Sequence, residues 1–487
     1  MADRVLPAEP GRGDPAEDLY RRQRIAHWDR VARLWQRRKG LGGAYHQRLQ
    51  RIYRFLVPPG ARVLELGCGT GDLLAALEPT VGVGVDFSNE MIRSAAARHP
   101  HLRFVEADAH QIGVLEETFD VVILSDLIND VWDVQRLLES VLPLTTPRTR
   151  VILNVYSRLW ELPLGLAQRL GLARPVLYQN WLTVADVTNL LRLAGFHAIR
   201  SWQEVLLPLP IPLLAPLCNR MLVKLWPFRH LALANFLVAR PAPAPAEEEP
   251  VVSVIVPARN EEGNIANIFA RVPEMGGGTE IIFVEGHSTD GTWEAIQREM
   301  AVHPERRASA FRQTGRGKGD AVRLGFSQAG GEVLMILDAD LTVPPEDLPR
   351  FYEVIRSGRG EFANGVRLVY PMEKEAMRFA NLLGNKFFSL AFSWLLGQPI
   401  KDTLCGTKVL CKADYEWLTA NRAYFGDFDP FGDFDLLFGA AKMNLEIVEV
   451  PIRYRERTYG TTNIQRWRHG WLLLKMCLFA AGRIKFI

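Results

Sequence analysis

A chain of 487 residues with 48% apolar and 23% charged side chains is long enough for more than one hydrophobic core and too apolar to be largely disordered. Its net charge of +3, from 58 basic and 55 acidic residues, excludes the electrostatic footprint of a nucleic-acid-binding protein, and no nucleic-acid partner is expected. Five cysteines, Cys68, Cys218, Cys405, Cys411 and Cys477, are odd in number and form no CxxC pair. That pattern argues against a disulfide framework and a zinc site, and it predicts a reducing, cytoplasmic setting.

The opening "MADRVLPAEPGRGDPAEDL" is polar and rich in Pro and Gly, without the apolar core of a signal peptide, and it predicts a flexible tail over residues 1–17. From Leu19 to about Phe55 a basic, aromatic stretch reads as helix interrupted at "GLGG". Short apolar runs then alternate with helical patterns: "ARVLELG", "VGVGVDF", "RFVEAD", "FDVVILS" and "RVILNVY". This alternation predicts a parallel sheet with crossover helices. "FHAIRSW" and "LANFLVARP" predict closing antiparallel strands, separated by the apolar insertion "LLPLPIPLLAPLCNRMLVKLWPFRHL". A packed pair of apolar helices is the first expectation for that insertion; a cap on a pocket or a membrane contact is the alternative.

"RPAPAPAEEEP", Arg240 to Pro250, suits an extended linker. The expected domains are therefore 18–240 and 251–487, joined by a linker over 241–250. Beyond it the alternation restarts with "VVSVIVP", "EIIFVEG" and "EVLMILDAD". No apolar run reaches the length of a membrane span; Glu204–Trp226 and Gly470–Ile487 are broken by prolines or by Lys475 and Arg483.

In the first half, "VLELGCGTGDLLAAL" is a strand that ends in Gly67, Gly69 and Gly71 and opens into a helix, a turn where backbone N–H groups approach a ligand. Glu65, Asp86 and Asp108 lie at or just beyond the ends of neighbouring strands, beside the crevice of a doubly wound sheet. Three carboxylates there suit a ligand with an amino group, ribose hydroxyls and an adenine amine. The stretch from Val63 to about Leu138 resembles a class I S-adenosylmethionine-dependent methyltransferase. The resemblance implies that Gly67, Cys68, Gly69 and Gly71 hold the methionine part of S-adenosylmethionine with Glu65 beside them. It places Asp86 and Phe87 at the ribose, Asp108 and Ala109 at the adenine, and Ser125 with Asp126 near the transferable methyl.

In the second half, "VSVIVPARNEEGNI" and "IIFVEGHSTDGTWEAI" are strands that end in turns carrying Asn260, Glu261 and Glu285. "EVLMILDADL" delivers Asp338 and Asp340, separated by one residue; strand alternation puts both on one side, spaced for a hard divalent cation or the ligand it carries. The stretch from Val251 to about Tyr459 resembles family 2 glycosyltransferases of the A-type fold, of the dolichyl-phosphate mannose synthase kind. That implies nucleotide-sugar binding, GDP- or UDP-linked, by Pro257, Arg259, Asn260, Glu261, Glu285, Lys318 and Asp338, and Mg2+ or Mn2+ held by Asp338 and Asp340. Glu285, Gly286 and His287 stand where many relatives have two aspartates before a glycine, and Thr342 stands where mannose synthases often supply another metal ligand.

Arg367, Arg378 and Arg457 are expected to clamp a phosphate, since guanidinium groups match that geometry. A hydroxyl acceptor would instead need a base, for which "FGDFDLLF" offers Asp433 or Asp435. "KFFSLAFSWLLG" and "RWRHGWLLLKMCLFAAGRIKFI" mix aromatic, apolar and basic residues as interfacial helices do. The expected fold class is thus α/β in two domains, a Rossmann-like methyltransferase sheet and a glycosyltransferase A-type fold. The expected partners are a nucleotide sugar, a polyprenyl phosphate and a peripheral membrane contact.

Overall fold

The computed structural model describes residues 14–35, 43–113, 115–170, 176–246, 248–367, 379–420, 433–455, 457, 459 and 466–486. The chain divides into two compact units, Met1–Ala242 and Pro243–Ile487, each built on one seven-stranded sheet.

The first unit opens with helices α1 (Pro15–Trp35) and α2 (Gly43–Leu56), so the expected tail is already helical from Pro15. Its strands are β1 (Arg62–Leu66), β2 (Val81–Asp86), β3 (Arg103–Glu106), β4 (Phe119–Ser125), β5 (Thr145–Tyr156), β6 (Phe196–Glu204) and β7 (Ala234–Pro241), in the order β3-β2-β1-β4-β5-β7-β6. β1 to β5 pair in parallel, and β7 lies antiparallel between β5 and β6. The helices between strands include α3 (Asp72–Ala76), α4 (Asn89–Arg98), α5 (Val134–Val141), α6 (Glu161–Arg169) and α7 (Val184–Leu193).

Alternation along β1 explains its continuous apolar run, since both faces of a parallel sheet are covered. Val63 packs with Leu49, Ile52 and Tyr53 of α2 on one face. Leu64 and Leu66 pack with Leu137, Leu138 and Val187 on the other. Helix starts follow their caps: the Ser88 hydroxyl accepts the Met91 N–H at 3.2 Å to open α4, and Thr183 and Asp186 form a reciprocal capping box at α7. The apolar insertion does not form the expected packed helix pair. An irregular helical run from Leu214 to Lys224 and a short turn at Phe228–Leu231 take its place, and most of its large side chains stay exposed.

The second unit has β8 (Val252–Ala258), β9 (Thr279–Glu285), β10 (Arg307–Arg312), β11 (Val333–Ile336), β12 (Phe362–Val366), β13 (Lys408–Cys411) and β14 (Ile447–Pro451), in the order β10-β9-β8-β11-β13-β12-β14. β8 to β11 are parallel neighbours, β13 runs antiparallel to both β11 and β12, and β12 pairs in parallel with β14. Its helices are α8 (Ile265–Arg271), α9 (Thr292–Val302), α10 (Lys318–Gln328), α11 (Leu348–Arg356), α12 (Phe379–Leu396), α13 (Lys412–Ala420), α14 (Asp433–Lys442) and α15 (Arg466–Ala480). Val254 and Val256 pack with Ile268 and Phe269 of α8 and with Phe351 of α11 to form the core. Around α15 one side is buried through Met476, Cys477 and Ala480, while Trp471 and Leu478 are exposed. Among the described residues no helix is long and apolar enough to cross a membrane.

Each sheet reverses its strand order once within the parallel part, between β1 and β4 and between β8 and β11. Loops diverge from such a reversal in opposite directions and leave a crevice at the carboxyl ends of the strands. Both candidate sites sit there.

Candidate active sites

In the first unit the loop after β1 places Gly67, Gly69 and Gly71 at positive φ, a backbone region costly for side chains. The Asp86 carboxylate, at the end of β2, ties this loop down by accepting the Gly69 N–H at 2.9 Å, and it also accepts the Ser88 N–H at 2.9 Å. Burial pushes the Asp86 carboxyl up to about 6, against the pull of those two N–H groups. Asp108 takes the backbone N–H and the ring of His110 on one oxygen and lies 3.9 Å from Arg21. Burial would raise it, and His110 with Arg21 outweighs burial and holds it below the usual carboxylate range. Ala109 is buried and Phe87 partly buried beside these strand ends.

Two sequence-predicted residues also brace the loop from within. Glu65 is 2% exposed, and its carboxylate accepts the Leu74 N–H at 3.0 Å, bracing α3; burial pushes it up to about 8. Gly71 is needed for packing, because a Cβ there would come within 2.7 Å of the Phe104 ring. Cys68 is buried, which raises its thiol well above the usual value.

On the other side of the reversal a polar network forms at the ends of β4 and β5. Asp126, just past Ser125, sits at positive φ and accepts the Tyr45 O–H at 2.8 Å and the Asn154 amide at 2.5 Å. Tyr53 and Ser125 donate to the Asn154 carbonyl oxygen at 2.7 and 3.1 Å. Burial pushes the Asp126 carboxyl up to about 7, although Tyr45 and Asn154 pull it down. Tyr156 stacks toward Tyr45 and Trp181, with ring centroids 6.1 and 6.5 Å apart. Of this group the sequence reading singled out only Ser125 and Asp126. Its partners come from α2, β5 and the segment before α7, and only the apolar periodicity of α2 hinted that this helix packs on the sheet.

Helix α1 was read as helix from the sequence but given no role at the site. It crosses the strand ends, where Trp28 and Arg24 donate to the Asp130 carboxylate at 2.7 and 2.9 Å and Asp29 accepts the Ser88 hydroxyl at 2.5 Å.

In the second unit Asp338 and Asp340 follow β11. Lys318, the first residue of α10, lies 2.6 Å from the Asp338 carboxylate. Burial would raise the Asp338 carboxyl; Lys318, with Lys408 and Arg367 adding to it, outweighs burial and holds it below its usual value. Asp340 accepts the Thr342 N–H and hydroxyl at 3.1 and 2.8 Å on one oxygen and the Arg457 guanidinium at 2.6 Å on the other. Arg457 also reaches Glu261 at 3.2 Å, so it joins the β8 loop to the β11 edge.

Asn260, at positive φ, accepts the Thr289 N–H at 2.8 Å and locks the loops after β8 and β9 together. The Glu285 carboxylate accepts the Ser288 N–H at 2.5 Å, while Pro257 is partly buried and Arg259 exposed. Asp290, not predicted, organises the same loops by accepting N–H groups of Glu262 and Thr292 at 3.3 and 3.1 Å. Gly406 was missed as well, and a Cβ there would run into the Asp338 carboxylate and the Lys318 ammonium.

Arg367 differs from expectation. Its Nε and Nη2 donate to the two oxygens of Asp402 at 2.7 and 2.9 Å, with 13% and 2% of the side chains exposed. This bidentate pair occupies the face of the guanidinium that a phosphate clamp needs. Arg378 lies outside the described residues, as does the side chain of Asp433; Asp435 is partly buried in the first turn of α14.

Among the described residues no three His, Cys, Asp or Glu side chains gather as a metal-ligand set. Asp338 and Asp340 nevertheless fit a hard cation whose other ligands are phosphate oxygens, because Mg2+ commonly takes one or two carboxylates and completes its shell from substrate and water.

A methyltransferase-domain model matches residues 21–201, and the glycosyl transferase family 2 model matches residues 253–416. The dolichol-phosphate mannosyltransferase of Pyrococcus furiosus is 31% identical over 220 residues, covering 44% of this chain and 59% of the relative, so the chain spans little more than half of that protein. A dolichyl-phosphate hexose transferase of Haloferax volcanii is 30% identical over 235 residues, covering 47% of this chain and 94% of the relative. Among solved structures, an S-adenosylmethionine-dependent methyltransferase from Mesorhizobium loti aligns with a TM-score of 0.32 at 22% identity, over 41% of this chain and 100% of that one.

The chain carries two transferase-type domains, a methyltransferase domain followed by a glycosyltransferase domain. Through its C-terminal half the chain belongs to glycosyl transferase family 2.

Proposed function

We propose that the C-terminal domain transfers a sugar, with inversion, from a GDP- or UDP-linked donor to a polyprenyl phosphate. The N-terminal domain then methylates the same or a related product with S-adenosylmethionine. The observation that carries the first half is the Asp338–Asp340 edge with Lys318 and Arg457 set against it. Two carboxylates beside two cations match a diphosphate and a divalent cation bound together. A bound Mg2+ or Mn2+ would neutralise the leaving diphosphate. Arg457 and Lys318 would then hold phosphate oxygens, and the loops tied by Asn260 and Asp290 would receive the nucleoside. A polyprenyl phosphate is already anionic at neutral pH and needs no general base, in keeping with the names of the relatives.

In the N-terminal domain the loop from Gly67 to Gly71 and Asp86 would hold the cofactor, whose sulfonium supplies an electrophilic methyl group. In-line displacement asks mainly for positioning. For an acceptor that carries a proton on its attacking atom, Asp126 is placed to take that proton. Together these roles put the enzyme at the cytoplasmic face of a membrane.

The test is transfer of labelled sugar from GDP-mannose and UDP-sugars into an organic-extractable product, with polyprenyl phosphate and Mn2+ present and Asp340→Asn as control. Label in the lipid phase that disappears in the variant supports the reading. Metal-dependent nucleotide binding without any lipid label moves the acceptor to a hydroxyl, and Asp433 and Asp435 then become the bases to test.

A further inference from the structure

We infer that the methyltransferase unit docks peripherally on an anionic lipid surface through α6 and the insertion between β6 and β7. The inference concerns this unit alone and stands whether or not the second unit glycosylates a lipid.

From Val205 to Leu233 the insertion contains no acidic residue, and it carries Arg220, Lys224 and Arg229. Its polar anchors point inward. The Asn219 side chain accepts the N–H groups of Leu206 and Leu207 at 2.8 Å each and donates to the Leu207 carbonyl at 2.7 Å. Lys224 pairs with the buried Glu204, and Val223 is 1% exposed. Its large apolar groups point outward: Leu213 is 88%, Trp226 75% and Met221 50% exposed.

Helix α6 continues the same surface, because the Trp160 ring N–H at its start donates to the Leu231 carbonyl at 2.9 Å. Leu162, Leu166 and, just past the helix end, Leu170 recur at helical spacing and are 84%, 59% and 64% exposed. A backbone so firmly anchored cannot fold these side chains away, and contiguous apolar surface on this scale marks an interaction site.

Charge selects the occupant. Arg158, Arg169, Arg220 and Arg229 are exposed on these two segments, against the single acid Glu161. Leucines and a tryptophan with arginines at the rim are what an anionic leaflet attracts, the apolar groups entering the acyl boundary and each basic group adding to the attraction.

The test is flotation of the full chain with vesicles of phosphatidylcholine alone and with vesicles that also contain phosphatidylglycerol. Wild type is expected to float with the phosphatidylglycerol vesicles and to be released by salt. The pairs Leu162→Asp with Leu166→Asp and Leu213→Asp with Trp226→Asp should each weaken binding by about tenfold or more. Arg220→Glu with Arg229→Glu should weaken only the binding that depends on phosphatidylglycerol. Failure of wild type to float overturns the inference, as does flotation that survives both apolar pairs. A wild-type dimer in solution that becomes monomeric in the Leu213→Asp, Trp226→Asp variant also overturns it, by making a second copy the occupant.

Discussion

Asp126→Asn is expected to make the methyltransferase unit more stable, and increasingly so as pH rises. Burial moves this carboxyl from its ordinary value of 3.8 to about 7. The unfolded chain therefore ionises the group above about pH 4, whereas the folded chain keeps its proton to about pH 7. The stability linked to that proton is fully present below the unfolded value, is lost as pH rises through the folded one, and levels off above it. The whole loss is about 4 kcal/mol, of which about 2–3 kcal/mol falls between about pH 5 and about pH 8. An asparagine never ionises, and its carbonyl oxygen can still accept from Tyr45 and Asn154, which both reach the same Asp126 oxygen. The stability gap between variant and wild type should therefore widen by about 2–3 kcal/mol over that interval. Amide hydrogen exchange of β4 and β5 peptides in the full chain, corrected for intrinsic rates, reads the gap without requiring the two units to unfold together. A gap that stays constant across the interval, or a variant less protected at the higher pH, refutes the raised carboxyl and with it the case for Asp126 as a proton acceptor.

Asp402→Asn should cost roughly 3–5 kcal/mol in denaturant unfolding of the second unit, because it leaves the buried Arg367 guanidinium without its counter-charge. Arg367→Lys should not restore wild-type stability, since an ammonium cannot make the bidentate pair. Gly71→Ala should lower the thermal stability of the first unit, by roughly 1–3 kcal/mol, through its positive φ and the contact with Phe104. Gly406→Ala should weaken metal-dependent nucleotide-sugar binding by more than about tenfold in calorimetry while the far-ultraviolet circular dichroism stays unchanged, because the new methyl group displaces Asp338 and Lys318 and leaves the sheet intact.

Much of the fold was legible because strands buried on both faces read as unbroken apolar runs, and those runs stop in acid where they reach the crevice: Asp86 at the end of β2, Asp338 just past β11. The glycine turn after β1 was legible for the same local reason. What stayed hidden depends on contacts across the chain. Arg367 looks like a free phosphate ligand until Asp402 is seen beside it, and no spacing rule pairs a residue just past β12 with one on the loop before β13. Gly406 carries no ligand group of its own, and its importance comes from the two side chains it backs. Asp126 was visible at a strand end, but the tyrosines that hold it lie on a helix far earlier in the chain. The insertion misled for a different reason. Its composition suits a packed helix pair, yet its helical run from Leu214 to Lys224 leaves Leu214, Leu217 and Met221 exposed.

The two crevices share an architecture and differ in electrostatic tuning, and the difference follows from their ligands. At the first reversal Asp86 and Asp126 lose hydration without gaining a cation, and burial lifts both toward neutrality. A cationic cofactor with ribose hydroxyls supplies what such a site lacks, so binding and ionisation should be linked. At the second reversal Lys318 already holds Asp338 ionised, as an edge meant to share a cation with a diphosphate requires. If ribose recognition needs ionised Asp86, S-adenosylmethionine affinity should rise about tenfold from about pH 5 to about pH 7, since a carboxyl near 6 is mostly protonated at the lower value. Asp338, held below its usual value, gives nucleotide-sugar binding no such dependence over the same range. Titration calorimetry on the full chain measures both. An S-adenosylmethionine affinity flat over that interval would mean that Asp86 binds the cofactor as a neutral acid or not at all, and the ribose contact would have to be sought elsewhere on the crevice.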